Sequence, residues 1–328
     1  MHAPVMCQAV VELLAVGDGA VCIDGTAGGG GHSAALLERV GARGVVLAID
    51  QDVEAVARLR VRFAADGRCR VEHGNFADMA AIAARQGMGP VDGIVLDLGV
   101  SSDQLDTAGR GFSFMRDGPL DMRMNTDSDL TAAEIVNSWD EAALIDLLRR
   151  FGEEPRAARV ARTVVRARAA GRITGTLELA RLVEQATGGR RGPQHPATRT
   201  FQALRMAVNR ELERLDAGLE AGIGLLKPGG RMAVISFHSL EDRQVKHCFG
   251  RHIGRWESLA QGGEVWRGDQ PVLARVTRKP RAPDDGEVAR NPRARSAKLR
   301  VVERMAGEAG AAPTRVAGMR EQRRRVTA

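Results

Sequence analysis

The stretch Val21-Cys22-Ile23-Asp24-Gly25-Thr26-Ala27-Gly28-Gly29-Gly30-Gly31-His32-Ser33 constrains this chain more than any other. A short apolar run breaks into five glycines within seven positions, 25 to 31, and then into a helical pattern. Glycine removes the Cβ atoms that would hold a ligand off the backbone, and it tolerates positive φ. The spacing predicts strand, ligand loop and helix, with Ser33 placed to cap a helix over Ala34 to Val40. A second apolar run, Val45 to Ile49, ends on Asp50, about 20 residues beyond the glycines, where a doubly wound fold puts an acid on a ribose.

Charge decides which nucleoside such a loop would hold. A dinucleotide fingerprint, G-x-G-x-x-G, turns bare amides and a helix N-terminus toward a pyrophosphate. This loop lacks that spacing, and Asp24 at its mouth would repel phosphate while suiting an ammonium group. S-adenosylmethionine answers both demands, with an adenosine for Asp50 and a cationic amino acid for the first loop. A nicotinamide oxidoreductase is disfavoured on the same grounds.

Later segments continue the α/β alternation. Val53, Val56, Leu59 and Phe63 fall at helical spacing, and Cys69 to Glu72 begin a third strand leading to Phe76, a ring placed to border an adenine or simply to fill the core. Gly93 to Asp97 form a fourth strand, and ligands bind beyond the carboxyl ends of such strands. The next strong signal is Leu225-Leu226-Lys227-Pro228-Gly229-Gly230, a helix end and turn before a strand over Arg231 to Ser236. A single crossover does not need so much chain, so an insertion lies between. Its sequence reads helical: Thr131-x-x-Glu134 resembles a capping box, Ala142 to Phe151 and Thr176 to Ala186 are amphipathic, and a helix is predicted from Thr200 to about Leu225. Arg156, Arg159, Arg162, Arg166 and Arg168 mark an arginine face, either a solvated side or a phosphate-binding one. Two closing strands, Pro271 to Thr277 and Lys298 to Glu303, are joined by a basic linker, Arg278 to Ser296. Beyond Met305 the composition is that of a disordered tail.

The net charge of +7, 48 basic against 41 acidic residues, favours a polyanionic partner. Aromatic residues make up 3% with no tyrosine, so base stacking has few candidates: Phe76, Phe112, Phe114, Phe201, Phe237 and three tryptophans. Cys7, Cys22, Cys69 and Cys248 form no C-x-x-C pair, so neither a disulfide framework nor a metal site is expected. With no leader pattern and no run of membrane-spanning length, the expected compartment is the cytoplasm.

Several strings resemble one family. D-G-T-A-G-G-G-G-H-S at 24 to 33, D-L-G-V-S-S-D-Q-L-D at 97 to 106, R-G-F-S-F at 110 to 114, D-M-R-M at 121 to 124, T-F-Q-A-L-R at 200 to 205, L-K-P-G-G at 226 to 230, S-F-H-S-L-E-D-R at 236 to 243 and N-P-R-A-R-S-A-K-L-R at 291 to 300 are similar to the bacterial ribosomal RNA small subunit methyltransferase H family, also called MraW. The resemblance implies a Rossmann-like class I S-adenosylmethionine-dependent methyltransferase with an inserted all-helical domain. The chain then divides into core residues 1–106, an inserted domain 107–208, core residues 209–304 and a disordered basic tail 305–328. The implied reaction is methylation of the exocyclic N4 of a cytosine in the decoding centre of 16S ribosomal RNA, within the small subunit; a homodimer is left open. The implied cofactor contacts are Gly30, Gly31, His32, Asp50, Phe76, Asp97 and Gln104, beside Asp24 from the charge argument. The loop's A-G-G-G-G replaces a bulkier residue found in many relatives.

A sulfonium is already a good leaving group, so the enzyme's task is alignment of an amine lone pair with the methyl carbon. Methylation at cytosine C5 would need a cysteine nucleophile; none lies near Asp97 or Ser101, which favours nitrogen as acceptor. An acceptor for the amine N–H is expected from Asp97 or the backbone carbonyls of Leu98 to Ser101. Phe237 and His238 are the candidates for stacking on the base. Arg110, Arg123, Arg293, Arg295 and Lys298 are expected phosphate ligands. Rival readings are a methyltransferase acting on DNA or a small molecule, and a nonenzymatic nucleotide-binding scaffold.

Overall fold

The computed structural model describes residues 4–189, 195–258, 264–267 and 271–306. Five parallel strands make up one side and most of a seven-stranded sheet: β1 (Val21–Asp24), β2 (Val45–Asp50), β3 (Cys69–His73), β4 (Val91–Asp97) and β5 (Leu226–Ser236). A short hairpin, β6 (Arg255–Ser258) and β7 (Glu264–Arg267), stands apart, while β8 (Leu273–Arg275) and β9 (Lys298–Arg304) close the sheet in the order β3-β2-β1-β4-β5-β9-β8. Strand β9 runs antiparallel to both neighbours. The first five follow the Rossmann order, which reverses between β1 and β4.

These strands are apolar along their length because helices cover both sheet faces. Side chains alternate between the faces. Ile23, Leu47 and Leu96 pack on one side, with α4 (Met79–Arg85) and two later helices; Cys22, Val46 and Val95 pack on the other, under α1 (Cys7–Leu14) and α2 (Gly31–Val40). Helix α3 (Val53–Arg62) flanks β2 and β3. Short α5 (Ser102–Asp106) follows β4.

Between β4 and β5 the chain builds α6 (Ala132–Ser138), α7 (Glu141–Arg150), α8 (Ala157–Ala170), α9 (Thr176–Thr187) and α10 (Thr198–Val208). They share a hydrophobic cluster of their own, including Leu120, Ile135, Leu147, Val160, Val183 and Phe201. The capping box at Thr131 and Glu134 is formed, and α9 stops at the left-handed Gly188. Helix α11 (Glu211–Leu225) returns to the sheet, followed after β5 by α12 (Ser239–Ile253) and later by α13 (Asp285–Arg290).

Several expectations need correction. The helix read from Thr200 to Leu225 is two, broken at Asn209–Arg210, where Arg210 has φ 50°. The Asn209 side chain explains the break: it donates to the carbonyls of Met122 and Arg205 and accepts from the Met124 amide, all at 2.7–2.8 Å. Strand β5 starts at Leu226 rather than Arg231, with L-K-P-G-G absorbed as an irregularity in its pairing to β4. The linker from Arg278 to Ser296 carries α13 and a short 3-10 turn. Helix α2 begins earlier than expected: its cap is Gly30, at φ 78°, and Ser33 lies inside its first turn. A Cβ on Gly30 would stand 2.8 Å from the Leu59 side chain. The tail expectation falls, from residue 307 onward, outside the described residues. Among the described residues no helix is long and apolar enough to cross a membrane.

Candidate active site

Where the strand order reverses, the carboxyl ends of β1, β2 and β4 open onto a cavity of about 550 Å³, within the range of small-molecule sites. The glycine loop is sewn to the sheet beneath it. Gly25 donates to the Val95 carbonyl and Ala27 to that of Ile49, both at 3.0 Å, while the Asp97 amide donates to Thr26 Oγ1 at 2.6 Å.

Asp24 does not face this cavity, which corrects its expected contact with an ammonium group. It is fully buried under the loop, where Ser33 Oγ donates to its Oδ2 at 2.6 Å and the Thr26 amide to its Oδ1 at 3.3 Å. Burial raises its pKa, opposed by His32, Ser33 and Thr26. Gly30 is turned toward Leu59 and Phe63 and also lies outside the lining, whereas Gly31 and His32 belong to it.

His32 and Asp97 meet on the cavity wall, with Nε2 and Oδ2 3.5 Å apart, an ion-pair distance longer than a good hydrogen bond. Burial disfavours the imidazolium, but Asp97, the Cys7 thiol and Asp24 outweigh it and push His32 up to about 10. Both His32 ring nitrogens and Asp97 Oδ1 are buried without a hydrogen-bond partner. Asp50 also lines the cavity, at the end of β2. Its Oδ2 accepts from Gly28 at 2.7 Å and its Oδ1 from Asp52 at 2.8 Å, and burial pushes it up to about 6 despite those bonds.

Phe76 lines the cavity and packs the core at once: its ring lies against Gly218 of α11, where any Cβ would collide with it. Gln104 is buried at the edge, its Oε1 accepting from the Ser101 amide at 3.0 Å and its Nε2 donating to Asp52 at 2.9 Å. Ser101 returns the bond, so its hydroxyl caps α5 rather than standing free for chemistry. Phe237 reaches the cavity beside Gly99, whose ideal Cβ position is 3.6 Å from the ring. His238 does not: it caps α12 and lies 3.0 Å from Glu241, so it cannot stack on a base in the cavity.

Two expected phosphate ligands are engaged within the protein itself. Arg110 is buried, with Nη1 2.7 Å from Asp52 and Nη2 donating to the carbonyls of Arg123 and Met124. Arg123 grips Asp121 and the carbonyls of Thr126 and Ser128. Arg293 pairs with Asp106 at the cavity rim and Lys298 with Asp242, while Arg295 is exposed. Sequence reasoning missed Asn209, Glu211 and Glu241, which all line the cavity. Glu211 holds Arg205 in a two-pronged pair at 2.7 Å; Glu241 accepts from the Phe237 amide at 2.8 Å. Glu241 stands inside S-F-H-S-L-E-D-R, and its spacing from His238 is that of a capping box.

The donor set fits an amino-acid nucleoside. A bare loop gives backbone access, and the His32–Asp97 pair, with Asp97 Oδ1 free of a hydrogen bond, offers a cation to a carboxylate and an acceptor to an ammonium. The MraW methylase family matches residues 1–305. The chain belongs to the MraW methylase family. As a member it is a methyltransferase, with S-adenosylmethionine as its methyl donor. It is 50% identical to "Ribosomal RNA small subunit methyltransferase H" of Thermomicrobium roseum over 308 residues, covering 93% of this chain and 94% of that one. The protein of the same name from Geobacter sulfurreducens is 48% identical, covering 93% and 99%. A solved rRNA methylase from Streptococcus thermophilus, at 11% identity, covers 93% of this chain and 99% of its own with a TM-score of 0.40, and adds nothing to the assignment.

Proposed function

We propose that this MraW family member methylates 16S ribosomal RNA of the small subunit, at the exocyclic N4 of a cytosine in the decoding centre. The observation that carries the reading is that one cavity holds both the His32–Asp97 pair beside the glycine loop and, next to Gly99, the Phe237 ring. Donor and flat base can therefore share one space. The relatives, named as methyltransferases of small subunit ribosomal RNA, support that substrate.

The methyl donor brings an activated methyl group; the protein's own residues do the placing. Gly31, His32 and Asp97 hold the amino-acid end, with Asp50 and Phe76 toward the nucleoside. Phe237 stacks on the cytosine and fixes its plane, which would leave the amine nitrogen facing the donor's methyl group when both are bound. That lone pair is delocalised into the ring, and a hydrogen-bond acceptor on the amine N–H returns density to nitrogen during attack. With Asp97 engaged by the donor's ammonium, a carbonyl of Leu98 to Ser101 fills that role; Asp97 Oδ1 fills it only where the ammonium leaves it free. Residues 107–208 act as a separate domain whose α8 face, with exposed Arg159, Arg162 and Arg166, meets RNA phosphates.

The test is incubation of the full chain with labelled methyl donor and unmodified small subunits, then mapping of the label by mass spectrometry. Label on one cytosine N4 of 16S RNA supports the reading. Label on another atom, or transfer to DNA but not to subunits, overturns it. Asp97→Ala, assayed for donor binding and maximal rate separately, decides its role: weaker binding at an intact rate removes Asp97 from the chemistry.

A further inference from the structure

Away from the cavity, α11 and α12 bring together Glu220, Cys248 and His252, whose ligand atoms all lie within 4.8 Å of one another. Cys248 and His252 stand four residues apart on α12, on one face of the helix. Glu220 answers them from α11. Its Oε1 is 3.5 Å from Cys248 Sγ, and its Oε2 is 2.8 Å from His252 Nε2.

We propose that these three side chains form a zinc site that pins α11 to α12. Tetrahedral zinc with sulfur near 2.3 Å and nitrogen or oxygen near 2.0–2.2 Å puts ligand atoms roughly 3.3–3.6 Å apart. The separation of Sγ from Oε1 already has that value, while Nε2 touches the other oxygen, Oε2, so a rotation of the Glu220 carboxylate brings one oxygen to face both donors, the three ligand atoms lying within 4.8 Å of one another. One thiolate, one carboxylate and one neutral imidazole cancel the double charge, and the mixture of soft and harder donors suits zinc over magnesium or calcium. Cys248 is buried, while the Glu220 side chain is 42% exposed, so the ion has an entrance and room for water as fourth ligand.

Two groups must give way. The Cys248 proton, held on sulfur by burial, is released to solvent as zinc takes its place. Arg251, now 2.7 Å from Glu220 Oε1, has Asp216 waiting at 3.8 Å and exchanges one carboxylate for the other. In the second such group, Glu211, His238 and Glu241, the two carboxylates line the active site and are already engaged: Arg205 occupies Glu211, and Glu241 holds the Phe237 amide.

The test uses tag-free full chain stripped with chelator and titrated with zinc alone against a chromophoric chelator. Cobalt(II) serves as the spectroscopic probe. One zinc per chain is expected, with affinity falling at least about tenfold in Cys248→Ser, in His252→Ala and in the more exposed Glu220→Gln. Cobalt should give a near-ultraviolet thiolate-to-metal band that Cys248→Ser abolishes. Zinc should raise the melting temperature of the parent but not of His252→Ala, while binding of the methyl donor stays the same in both. Equal zinc affinity in parent and variants, or cobalt binding without the thiolate band, overturns the site.

Discussion

Arg110→Ala tests whether a buried ion pair holds the cavity's edge. The guanidinium binds Asp52 at 2.7 Å and two main-chain carbonyls at 3.0 Å, and it lies 5.9 Å from the Phe112 ring. Asp52 is 3% exposed at its side chain, so removing Arg110 leaves a carboxylate in the interior. Losing one partner of such a pair costs about 3–5 kcal/mol. Asp52 keeps bonds from Gln104 and the Glu54 amide, which places this case near the lower end. Asp52→Asn should cost less, about 1.5–3 kcal/mol, because Glu54 stands 3.4 Å from the same guanidinium nitrogen and takes over part of its charge. The double variant should cost less than the sum of the two by about 1 kcal/mol or more, since contacting residues couple. Urea unfolding followed by two probes measures all three. Because Asp52 also holds Gln104, donor affinity should fall alongside stability. Additive losses, or Arg110→Ala costing under about 1 kcal/mol, would refute the argument.

Stability should also depend on pH through His32. Its folded pKa, about 10 against an ordinary 6.5, means a contribution complete below pH 6.5 and lost as pH rises toward 10. Urea midpoints from pH 6.5 to 9 should therefore decline in the parent and flatten in His32→Gln; parallel slopes would remove His32 from the account. Asp50 gives the same sign of pH dependence, although there the charged form is the disfavoured one. Raised to about 6 from 3.8, it penalises the fold above pH 6, and the penalty fades as pH falls toward 3.8, visible as a carboxyl titrating near 6 by NMR and missing in Asp50→Asn. Phe237→Ala should lower methyl transfer to subunits about tenfold or more while leaving donor affinity within twofold (~2) of the parent; equal loss of both would make the ring a packing residue. Replacing Arg159, Arg162 and Arg166 together with Ser should weaken subunit binding and reduce its salt slope by about 2–3, and an unchanged slope would free that face from phosphate contact.

The sheet was legible because burial on both faces writes apolar runs directly into sequence, as Val46 to Ile49 and Ile94 to Leu96 show. The insertion was legible from chain length between β4 and β5 and from capping chemistry at Thr131 and Gly188. What stayed hidden depends on partners distant in sequence. Nothing local says that Asp24 turns inward, because its fate rests on Ser33 in the first turn of α2. Arg110 and Arg123 looked like phosphate ligands because an arginine's charge is visible in sequence, while the Asp52, Asp121 and carbonyl oxygens that consume it are not. The break at Asn209 is similar. A helical pattern runs through it, and only contacts with Met122 and Met124, over eighty residues away, reveal why the chain turns there.

Those distant partners share one place, the seam between the helical insertion and the sheet. Asp52 with Arg110, Arg205 with Glu211, and Asn209 with Met122 and Met124 each tie one side to the other. Asn209 and Glu211, together with Gln104 from the Asp52 network, also line the cavity. Well-packed apolar residues would join two units at least as firmly as buried ion pairs, so strength alone does not account for polar groups here. Direction does: a forked guanidinium accepts one geometry, whereas an apolar seam tolerates sliding. Methyl transfer is sensitive to such sliding, since a misplacement of about 1 Å between reacting groups can cost a hundredfold (~100) in rate. The seam thus fixes Gln104 and the adjoining cavity wall in register, which is the alignment that the proposed transfer would demand.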